Sequence, residues 1–325
     1  MRLSSSKSLT KVTLYGTDSL REINLNAKNV IDTLSIEYVK NLKSIRGILN
    51  CRQLKQLFLY QCWELKDIGI VARSRSLRSL TIYELDRLEG LNFDMSKMNL
   101  DDLKIAGCES MQNMSGIASC KTLKKLTSNY MSKFITALSF DMSRMNLEEM
   151  EISDCDGMRD ISGIASCKTL KKLTLNSISK YIRTFNFDMS SMNLSDLKIA
   201  GDDYYWSPIT DISGITTCHT LRSLELSNLD SLKVIDFKNK ATDLQTLTIQ
   251  DCKSLETIAG LLNCKALRVL VIKENPRLTK IPDVKSEIPF VKGIIIQGNH
   301  GLKIPDCFGD LTQGHEWDIF DNGKL

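Results

Sequence analysis

The sequence is poor in several residue types that mark specialised classes of protein. Its 325 residues include 5 prolines, 3 histidines and 3 tryptophans, and aromatic side chains make up 6% of the chain. No Pro/Gly-rich or low-complexity stretch divides it, so no linker between separate domains is predicted. Hydrophobic residues at 42% and charged residues at 25% exclude a disordered or fibrous chain and are typical of a soluble protein with a core.

Long apolar runs and a strong net charge are also absent. No segment approaches the roughly 20 apolar residues of a membrane-spanning helix, and the start, MRLSSSKSLTKV, lacks the apolar region of a secretion signal. We therefore expect neither membrane insertion nor export. The 43 basic and 39 acidic residues give a net charge of +4, far from the concentrated basic surface that binds phosphates, so nucleic acid is not an expected partner.

Residues for catalysis or metal binding do not cluster in the sequence. His219, His300 and His315 are scattered, and none accompanies a candidate nucleophile. There is no phosphate-binding loop, no nucleotide fingerprint, and no C-x-x-C pair with a histidine set for zinc. The sequence predicts a protein that is not an enzyme and that holds no cofactor and no metal.

An internal repeat is the dominant feature of the sequence. Each unit reads apolar, two variable residues, apolar, one variable residue, apolar, and the alternation predicts a strand with its apolar side chains on one side. The period averages 23.5 residues. One coil cannot bury its own apolar face, so successive coils must stack into a solenoid. The thirteen units begin at Leu9, Ile31, Leu54, Leu77, Leu100, Leu123, Leu147, Leu170, Leu194, Leu221, Leu244, Leu267 and Val291.

The segments LKQLFLYQC, LDDLKIAGC, LEEMEISDC and LQTLTIQDC resemble the strand motif of leucine-rich repeats, L-x-x-L-x-L-x-x-N/C. This resemblance implies an α/β leucine-rich-repeat solenoid, a horseshoe with parallel strands on the concave face. Short turn, 3-10 or extended returns with little regular helix are expected on the convex face. We expect a solenoid of about 13 coils over residues 1–300 and a capping tail over 301–325, with Trp317 and Phe320 covering the last coil.

The N/C position of the motif is not uniform. In leucine-rich repeats its side chain satisfies backbone groups inside the bend, so apolar occupants imply that their coils bend differently. Cys or Asn stands there in six coils, and the other seven coils have Thr17, Val39, Leu85, Met131, Ile178, Asp202 and Leu229.

A second repeat spans two coils. NFDMSKMNL, SFDMSRMNL and NFDMSSMNL place Phe93, Phe140 and Phe187 at intervals of 47 residues, which duplication of a two-coil block explains. The paired methionines in each copy could bind a soft metal ion, but flexible filling of the core accounts for them better.

The ten cysteines fall into columns of the repeat. Cys51, Cys120, Cys167, Cys218 and Cys264 precede strands, Cys62, Cys108, Cys155 and Cys252 follow strands, and Cys307 stands alone. Within a column no two lie in adjacent coils, and a separation of two coils, about 10 Å, exceeds the ~7 Å limit between the Cα atoms of a disulfide. Buried free thiols favour a cytoplasmic location. The alternative is the cell surface, or secretion by a non-classical or removed signal, where Asn113 and Asn193 would be glycosylation acceptors.

Aromatic residues concentrate on one face of the early coils. The resemblance implies that variable residues of the strand motif line the concave surface and recognise a partner there. The first four coils would then form a nearly continuous aromatic stripe, rich in the residue types of binding hot spots. The alternative is a stabilising cross-strand ladder without a ligand. The residues concerned are Tyr15, Tyr38, Phe58, Tyr60, Tyr83 and Tyr130.

Two further features lie beyond the stripe. Charges on the same face alternate in sign from Asp102 to Glu225, which favours cross-strand ion pairs over a partner-binding pattern. The segment IAGDDYYWSPITDISG is four residues longer than its counterparts and introduces Tyr204, Tyr205 and Trp206. Insertions in solenoids map to loops, often on the binding face, and the alternative is a plug over an irregular part of the core.

These observations lead to a hypothesis of non-enzymatic recognition of a protein partner, in immune or signalling recognition, through the concave face and the aromatic insertion. Two alternatives stay open. One is a cell-surface repeat protein whose aromatic residues stack on glycans or host surfaces. The other is the repeat part of a larger receptor or enzyme, which remains an analogy.

Overall fold

The computed structural model describes residues 8–25, 30–202, 205–237, 243–288 and 290–303, with the backbone alone at 285–286 and 317–320. The chain folds into two compact units, Met1–Cys167 and Lys168–Leu325. Each unit is a solenoid of stacked coils whose main sheet takes one strand from each coil, so the predicted parallel-strand solenoid is confirmed. Within the described residues no helix is long and apolar enough to cross a membrane.

The first unit contains one parallel sheet in which each strand pairs with the next along the chain. Short 3-10 segments at Arg46–Asn50, Gly69–Arg73, Ser115–Ser119 and Ser162–Ser166 form part of the returns. The strands are β1 (Lys11–Tyr15), β2 (Thr33–Glu37), β3 (Gln56–Tyr60), β4 (Ser79–Tyr83), β5 (Asp102–Ala106), β6 (Lys125–Asn129) and β7 (Glu149–Cys155).

The second unit repeats this arrangement and adds a small second sheet. Its strands are β8 (Lys172–Ile178), β9 (Asp196–Ala200), β10 (Ser223–Ser227), β11 (Val234–Asp236), β12 (Thr246–Gln250), β13 (Thr257–Ala259), β14 (Val269–Lys273), β15 (Gly293–Gln297) and β16 (Trp317–Phe320). Strands β11 and β13 pair with each other in the returns, and the others form the main parallel sheet. Helical segments are Ile215–Thr217 and Leu261–Asn263 (both 3-10) and α1 (Val284–Glu287).

Along each strand, buried residues alternate with residues that point away from the core, so one side of the sheet faces the core and the other side is open. In β3, Leu57 and Leu59 are fully buried, whereas Gln56, Phe58 and Tyr60 point away from the core. The same alternation recurs in register along each sheet, so the inward leucines and isoleucines of neighbouring coils form a continuous column. We call the surface formed by the outward positions the open face.

The 47-residue repeat has a structural explanation in hydrogen bonding. The Ser119 hydroxyl accepts a bond from the Met95 backbone N–H at 2.7 Å and donates one to the Gly116 carbonyl at 2.6 Å. Ser166 and Thr217 make the equivalent bonds in the next two copies. In each copy, these two hydrogen bonds of one hydroxyl group connect one return to the next. All six paired methionines are buried in the core, as their interpretation as core filling predicts.

The expectation that apolar occupants of the N/C position change the bend is wrong for Val39, Leu85 and Leu229, whose coils bend as the coils with Cys do, and holds for Met131 and Ile178. The first residue after the strand has a left-handed φ in coils with Cys at the N/C position and in coils with Val or Leu there, as at Gln61 (φ 50°) and Glu84 (φ 50°). Leu65 N–H bonds to the Cys62 carbonyl, and Leu88 N–H bonds to the Leu85 carbonyl in the same way. Backbone hydrogen bonds therefore set the bend, and a buried apolar side chain fills the space equally well.

Two coils shift the buried bend position by one residue. Ser132 and Ser179 are buried, and each closes the turn that the N/C residue closes elsewhere; Met131 is half-buried, whereas Ile178 is buried as well. The Ser132 hydroxyl donates a 2.6 Å hydrogen bond to the carbonyl of Glu109 in the preceding coil. The extra residue also explains why the steps from these coils to the next are 24 residues long.

The division into a solenoid over 1–300 and a tail over 301–325 stays a prediction. Most of the proposed tail lies outside the described residues. Its described parts are residues 301–303 and β16, and β16 pairs in parallel with β15.

Candidate functional site

Four tyrosines form a continuous row of ring contacts on the open face of the first unit. The ring centroids of Tyr15 and Tyr38 lie 5.1 Å apart, those of Tyr38 and Tyr60 lie 5.4 Å apart, and both pairs are tilted. Tyr60 and Tyr83 stack face to face at 4.4 Å with an interplanar angle of 1°. We call these four residues the tyrosine ladder. Aromatic contacts of this kind contribute about 0.5–1.5 kcal/mol each beyond the area that they bury.

The backbone places these rings in two different ways. Tyr15, Tyr60 and Tyr83 are the last residues of β1, β3 and β4, and Tyr60 and Tyr83 are directly in register. Tyr38 follows β2 and has the left-handed φ of the bend, 56°, which brings its ring between those of Tyr15 and Tyr60. Sequence reasoning did not identify this left-handed column. A signal was present, because Gly, Asn or Asp stands in it at Gly16, Gly107, Asp154, Asn228, Asp251 and Gly298.

The ladder is anchored at its Tyr83 end by a carboxylate. The hydrogen bond and the negative charge of Glu84 raise the pKa of Tyr83, with smaller contributions from burial and from Tyr130. Gln61 Nε2 donates a hydrogen bond to Glu84 Oε2. Burial is the first cause of the raised pKa of Tyr38 and Tyr60. The raised pKa values keep Tyr38, Tyr60 and Tyr83 neutral at physiological pH, and the Tyr83 end of the ladder lies beside the Glu84 carboxyl group.

The remaining two predicted site residues of the first unit lie near the ladder but outside its ring contacts. Phe58 is on the open face of β3, two residues before Tyr60, and is half-buried. Tyr130 follows β6, has a left-handed φ of 49° and is 63% exposed. In β5 the ladder position is Ala106, so no ring stands between Tyr83 and Tyr130. The structure brings together five of the six residues and leaves Tyr130 two coils beyond Tyr83.

The insertion of the second unit presents two exposed rings. Tyr205 is 75% exposed and Trp206 is 60% exposed, which argues against a plug of the core by these two residues. Tyr204 and Asp203 lie outside the described residues. The loop leaves β9 at Gly201, where a Cβ atom would approach the Asn228 carbonyl oxygen to 2.0 Å, so only glycine fits.

Trp206 is held in place by the coils that follow the insertion. Its indole Nε1 donates a 2.7 Å hydrogen bond to the Ser231 hydroxyl. Lys253 Nζ lies 5.8 Å from the centre of the Trp206 ring and 3.2 Å from Oδ1 of Asp230, which is 4% exposed. The buried carboxylate positions the lysine, and the lysine supports the ring, so an exposed aromatic surface is fixed rather than free. The sequence did not identify Ser231, Asp230 or Lys253 as partners of the insertion.

The alternating charges form cross-strand pairs, as predicted. Lys125 Nζ lies 3.0 Å from Glu149 Oε2, between β6 and β7. Lys198 Nζ lies 2.6 Å from Glu225 Oε1, between β9 and β10. These side chains are 41–50% exposed, so each pair contributes under about 1 kcal/mol and marks no binding site by itself.

The nine described cysteines are all buried, and none of them forms a disulfide within the described residues. Cys307 lies outside the described residues. Burial raises the pKa of Cys62 to about 11 and the pKa of Cys108, Cys155 and Cys252 to about 12. No group of three or more His, Cys, Asp or Glu side chains suited to a metal ion occurs within the described residues.

We expect these four thiols to resist iodoacetamide in the folded protein at about pH 8 and to react after unfolding, because the thiolate is the nucleophile and burial keeps the thiol protonated. Their pKa is about 8.5 in an unfolded chain. Below about pH 8.5 the thiols are protonated in both states, so their contribution to the free energy of unfolding is fully present. That contribution is lost as the pH rises towards the folded pKa values of about 11 to 12, because the thiols then ionise in the unfolded chain first. Pulse labelling with mass spectrometry, and urea titrations at increasing pH, measure both effects. Equal labelling rates in folded and unfolded protein would contradict the prediction.

No protein-family model and no curated protein matches the sequence. Solved structures of leucine-rich-repeat proteins do match. Internalin InlF of Listeria monocytogenes is 16% identical, with 96% of this chain and 87% of that chain covered and a TM-score of 0.44. A leucine-rich-repeat protein of Leptospira interrogans is 14% identical (93% and 90% covered, TM-score 0.42). The leucine-rich-repeat domain of the type III effector XopL is 14% identical (90% and 78%, TM-score 0.39).

TM-scores this low support no conclusion about function. The fold class is therefore assigned from the structure of the repeated coils in this chain. Each of the thirteen motifs contains one strand, the motif leucines and isoleucines face the core, and the returns are short 3-10 or extended segments. The fold is therefore that of a leucine-rich-repeat solenoid. Its distinctive surfaces are the tyrosine ladder of the first unit and the aromatic insertion of the second.

Proposed function

We propose that this protein is a non-enzymatic recognition module that binds a protein partner through the tyrosine ladder and through Tyr205 and Trp206 of the insertion. The observation that carries the proposal is a row of four tyrosine rings in contact on an open sheet face, with Tyr15 64% exposed. Stacked rings are already ordered, so a partner that buries them pays little conformational entropy. Tyr204 is included in the proposed insertion site from its sequence position.

The arrangement of the rings favours a protein over a glycan. Sugars stack on open ring faces, but Tyr60 and Tyr83 cover one another's faces at 4.4 Å. Their edges and hydroxyl groups remain for a partner, and these groups suit the mixed polar and apolar contacts of protein interfaces. The burial of the nine described cysteines without a disulfide supports the further proposal of a reducing, cytoplasmic location.

A crosslinked pull-down from cells that produce the protein, followed by affinity measurement with the recovered partner, tests the proposal. Replacing Tyr15, Tyr60 and Tyr83 with Ser should weaken binding by at least about 100-fold, since hot-spot residues contribute about 2 kcal/mol each. A second variant replaces Tyr204, Tyr205 and Trp206 with Ser. Phe134→Ser is the matched control, because Phe134 is 51% exposed and lies in a return of the first unit.

Circular dichroism must show that all variants remain folded. If both triple variants bind the partner as tightly as Phe134→Ser does, the ladder and the insertion are structural and the proposal is wrong. Loss in one triple variant alone would assign recognition to that surface.

A further inference from the structure

Four exposed cations lie at one edge of the first unit's sheet, in the same two coils as the face-to-face pair Tyr60 and Tyr83. The cations come before β3 and β4, whereas the two tyrosines end these strands. No acidic residue occurs in 52–60 or 75–83, the segments that contain both features. The small net charge of the chain gives no sign of this concentration. We call the four cations the basic cluster: Arg52, Lys55, Arg75 and Arg78.

Hydrogen bonds between coils hold the basic cluster together. The Arg78 backbone N–H donates to the Lys55 carbonyl at 2.8 Å, so these two residues lie side by side in neighbouring coils. Asn99 of the next coil links Arg75 to Arg78, because its Nδ2 donates to the Arg75 carbonyl at 2.9 Å and its own carbonyl accepts Arg78 Nη1 at 3.0 Å. Arg52 lies in the turn that leads into β3, three residues before Lys55.

The basic cluster is only weakly neutralised by the coils on either side of it. Asp32 and Asp101 continue the backbone row of Lys55 and Arg78 in those coils. The Asp32 carboxylate accepts the Thr33 hydroxyl at 2.9 Å. Asp101 lies 3.8 Å from Arg78 and is 40% exposed, so this pair is weak. Within the part of the chain that the structure describes, three of the cations form no salt bridge: Arg52, Lys55 and Arg75.

A neutral stretch of the open face separates the basic cluster from the stacked rings. Lys55 precedes Tyr60 by five residues, which corresponds to about 16 Å along a strand. The outward residues between the two features are uncharged: Gln56, Phe58, Ser79 and Thr81. A typical protein interface buries about 800 Å² on each partner. One partner is therefore large enough to cover the rings and the cations together.

The opposite edge of the same sheet carries negative charge. Glu84 and Asp86 follow β4, and Glu109 follows β5. Burial raises the pKa of Asp86, and the nearby charges of Glu109 and Glu84 raise it further, so these carboxylates lie close together. The open face thus runs from positive before the strands to negative after them. Such a field directs an anionic group of a partner to the basic cluster and away from the other edge.

The surroundings of the basic cluster favour carboxylates over phosphates as its ligand. Proteins that hold single-stranded nucleic acid pair their cations with open ring faces, but Tyr60 and Tyr83 cover one another at 4.4 Å. Attachment to a membrane surface needs apolar side chains beside the cations. The exposed large apolar residues described in the first unit lie outside 52–83 except Trp63, which follows β3 at the opposite edge. Arginine forks match carboxylate geometry.

We infer that the basic cluster binds an acidic segment of the protein partner, whose carboxylates pair with the four cations while the rest of the partner covers Tyr60 and Tyr83. This inference rests on the proposed function and adds the chemistry of the partner to it. The rings supply contact area, and the cations select a partner with negative charge about 16 Å away from the residues that contact the rings.

Fluorescein-labelled acetyl-hexaglutamate amide is the probe, and fluorescence anisotropy measures its binding. We expect binding at about 50 mM salt that weakens at least about fivefold at about 200 mM, and no binding of the hexaglutamine peptide. The double variant Arg52→Gln, Arg75→Gln should weaken binding at least about fivefold. Its matched control is Lys43→Gln, Lys66→Gln, which removes two exposed cations from the returns of the first unit and should leave binding unchanged.

A second double variant, Lys55→Gln with Arg78→Gln, keeps the inference testable if the first does not fold by circular dichroism. Equal binding of the two peptides, or full binding by both cluster variants, would overturn the inference. A short DNA duplex or phosphatidylserine vesicles provide the phosphate arms. If either binds through the cluster more tightly than hexaglutamate at about 150 mM salt, the cluster is a phosphate site and the inference is wrong.

The recovered partner separates this inference from the proposed function. A partner lost by the Tyr15, Tyr60 and Tyr83 variant but held at full affinity by both cluster variants overturns only the acidic-segment inference. A partner lost by the cluster variants but held at full affinity by both aromatic triple variants supports the basic cluster and overturns the role of the ladder and the insertion.

Discussion

Replacing Asn275 with Ala is expected to lower the free energy of unfolding by about 3–5 kcal/mol. Asn275 is fully buried, its Oδ1 accepts the Cys252 backbone N–H at 3.1 Å, and its Nδ2 donates to the Lys273 carbonyl at 2.7 Å. Its own backbone N–H donates to Asn299 Oδ1 at 2.9 Å. Truncation leaves a buried donor and a buried acceptor unsatisfied, at about 1–3 kcal/mol each, and also creates a cavity.

Urea denaturation followed by circular dichroism measures the loss. The matched control is Asn193→Ala in the same unit, because Asn193 Nδ2 also donates to a backbone carbonyl, that of Lys168 at 2.9 Å, but from an exposed position. We expect that control to cost less than about 1 kcal/mol. Asn275→Cys should lose less than Asn275→Ala, since cysteine fills this position in other coils and Cys252 donates its thiol to the Gln250 carbonyl. Equal losses at Asn275 and Asn193 would refute the assigned role of burial.

Ser128→Val is expected to raise the free energy of unfolding by about 1–3 kcal/mol. Ser128 occupies a core position of β6, 1% exposed, in register with Ile105 and Ile152. Its hydroxyl has no hydrogen-bond partner within the described residues, and it lines the pocket between the coils of β5 and β6. Valine removes the unsatisfied hydroxyl and buries added methyl groups, each worth about 0.8 kcal/mol.

The neighbouring substitution Thr127→Val serves as the control for this prediction, because Thr127 points to the open face of the same strand. It should change stability by no more than about 0.5 kcal/mol. Ser128→Ala separates the two contributions, since it removes the hydroxyl without filling the pocket. A loss of stability in Ser128→Val would show that the hydroxyl is satisfied in solution by a bound water, and that the pocket is a hydrated site.

The candidate sites show where sequence reasoning succeeded and where it stopped. The placement of Tyr15, Tyr60 and Tyr83 on one face follows from period-two alternation, so the sequence sufficed for it. The contact of Tyr38 with its neighbours required a left-handed φ, which residue type alone does not predict for tyrosine. The support of Trp206 by Lys253 joins residues two coils apart, and no local pattern connects them.

The sequence by itself determined the strand in each coil, the parallel stacking, the burial of the cysteines and the paired methionines, and the cross-strand charge pairs. Each of these follows from a short periodic pattern, because a coil that cannot bury its own apolar face has one way to stack. Only the tertiary structure decided how the bends close, where Ser132 replaces Met131, and that the ladder breaks at Ala106 beside the unsatisfied acceptor of Asn129. These features depend on backbone hydrogen bonds and on contacts between residues about 23 positions apart in neighbouring coils. The identity of a single side chain does not predict such contacts.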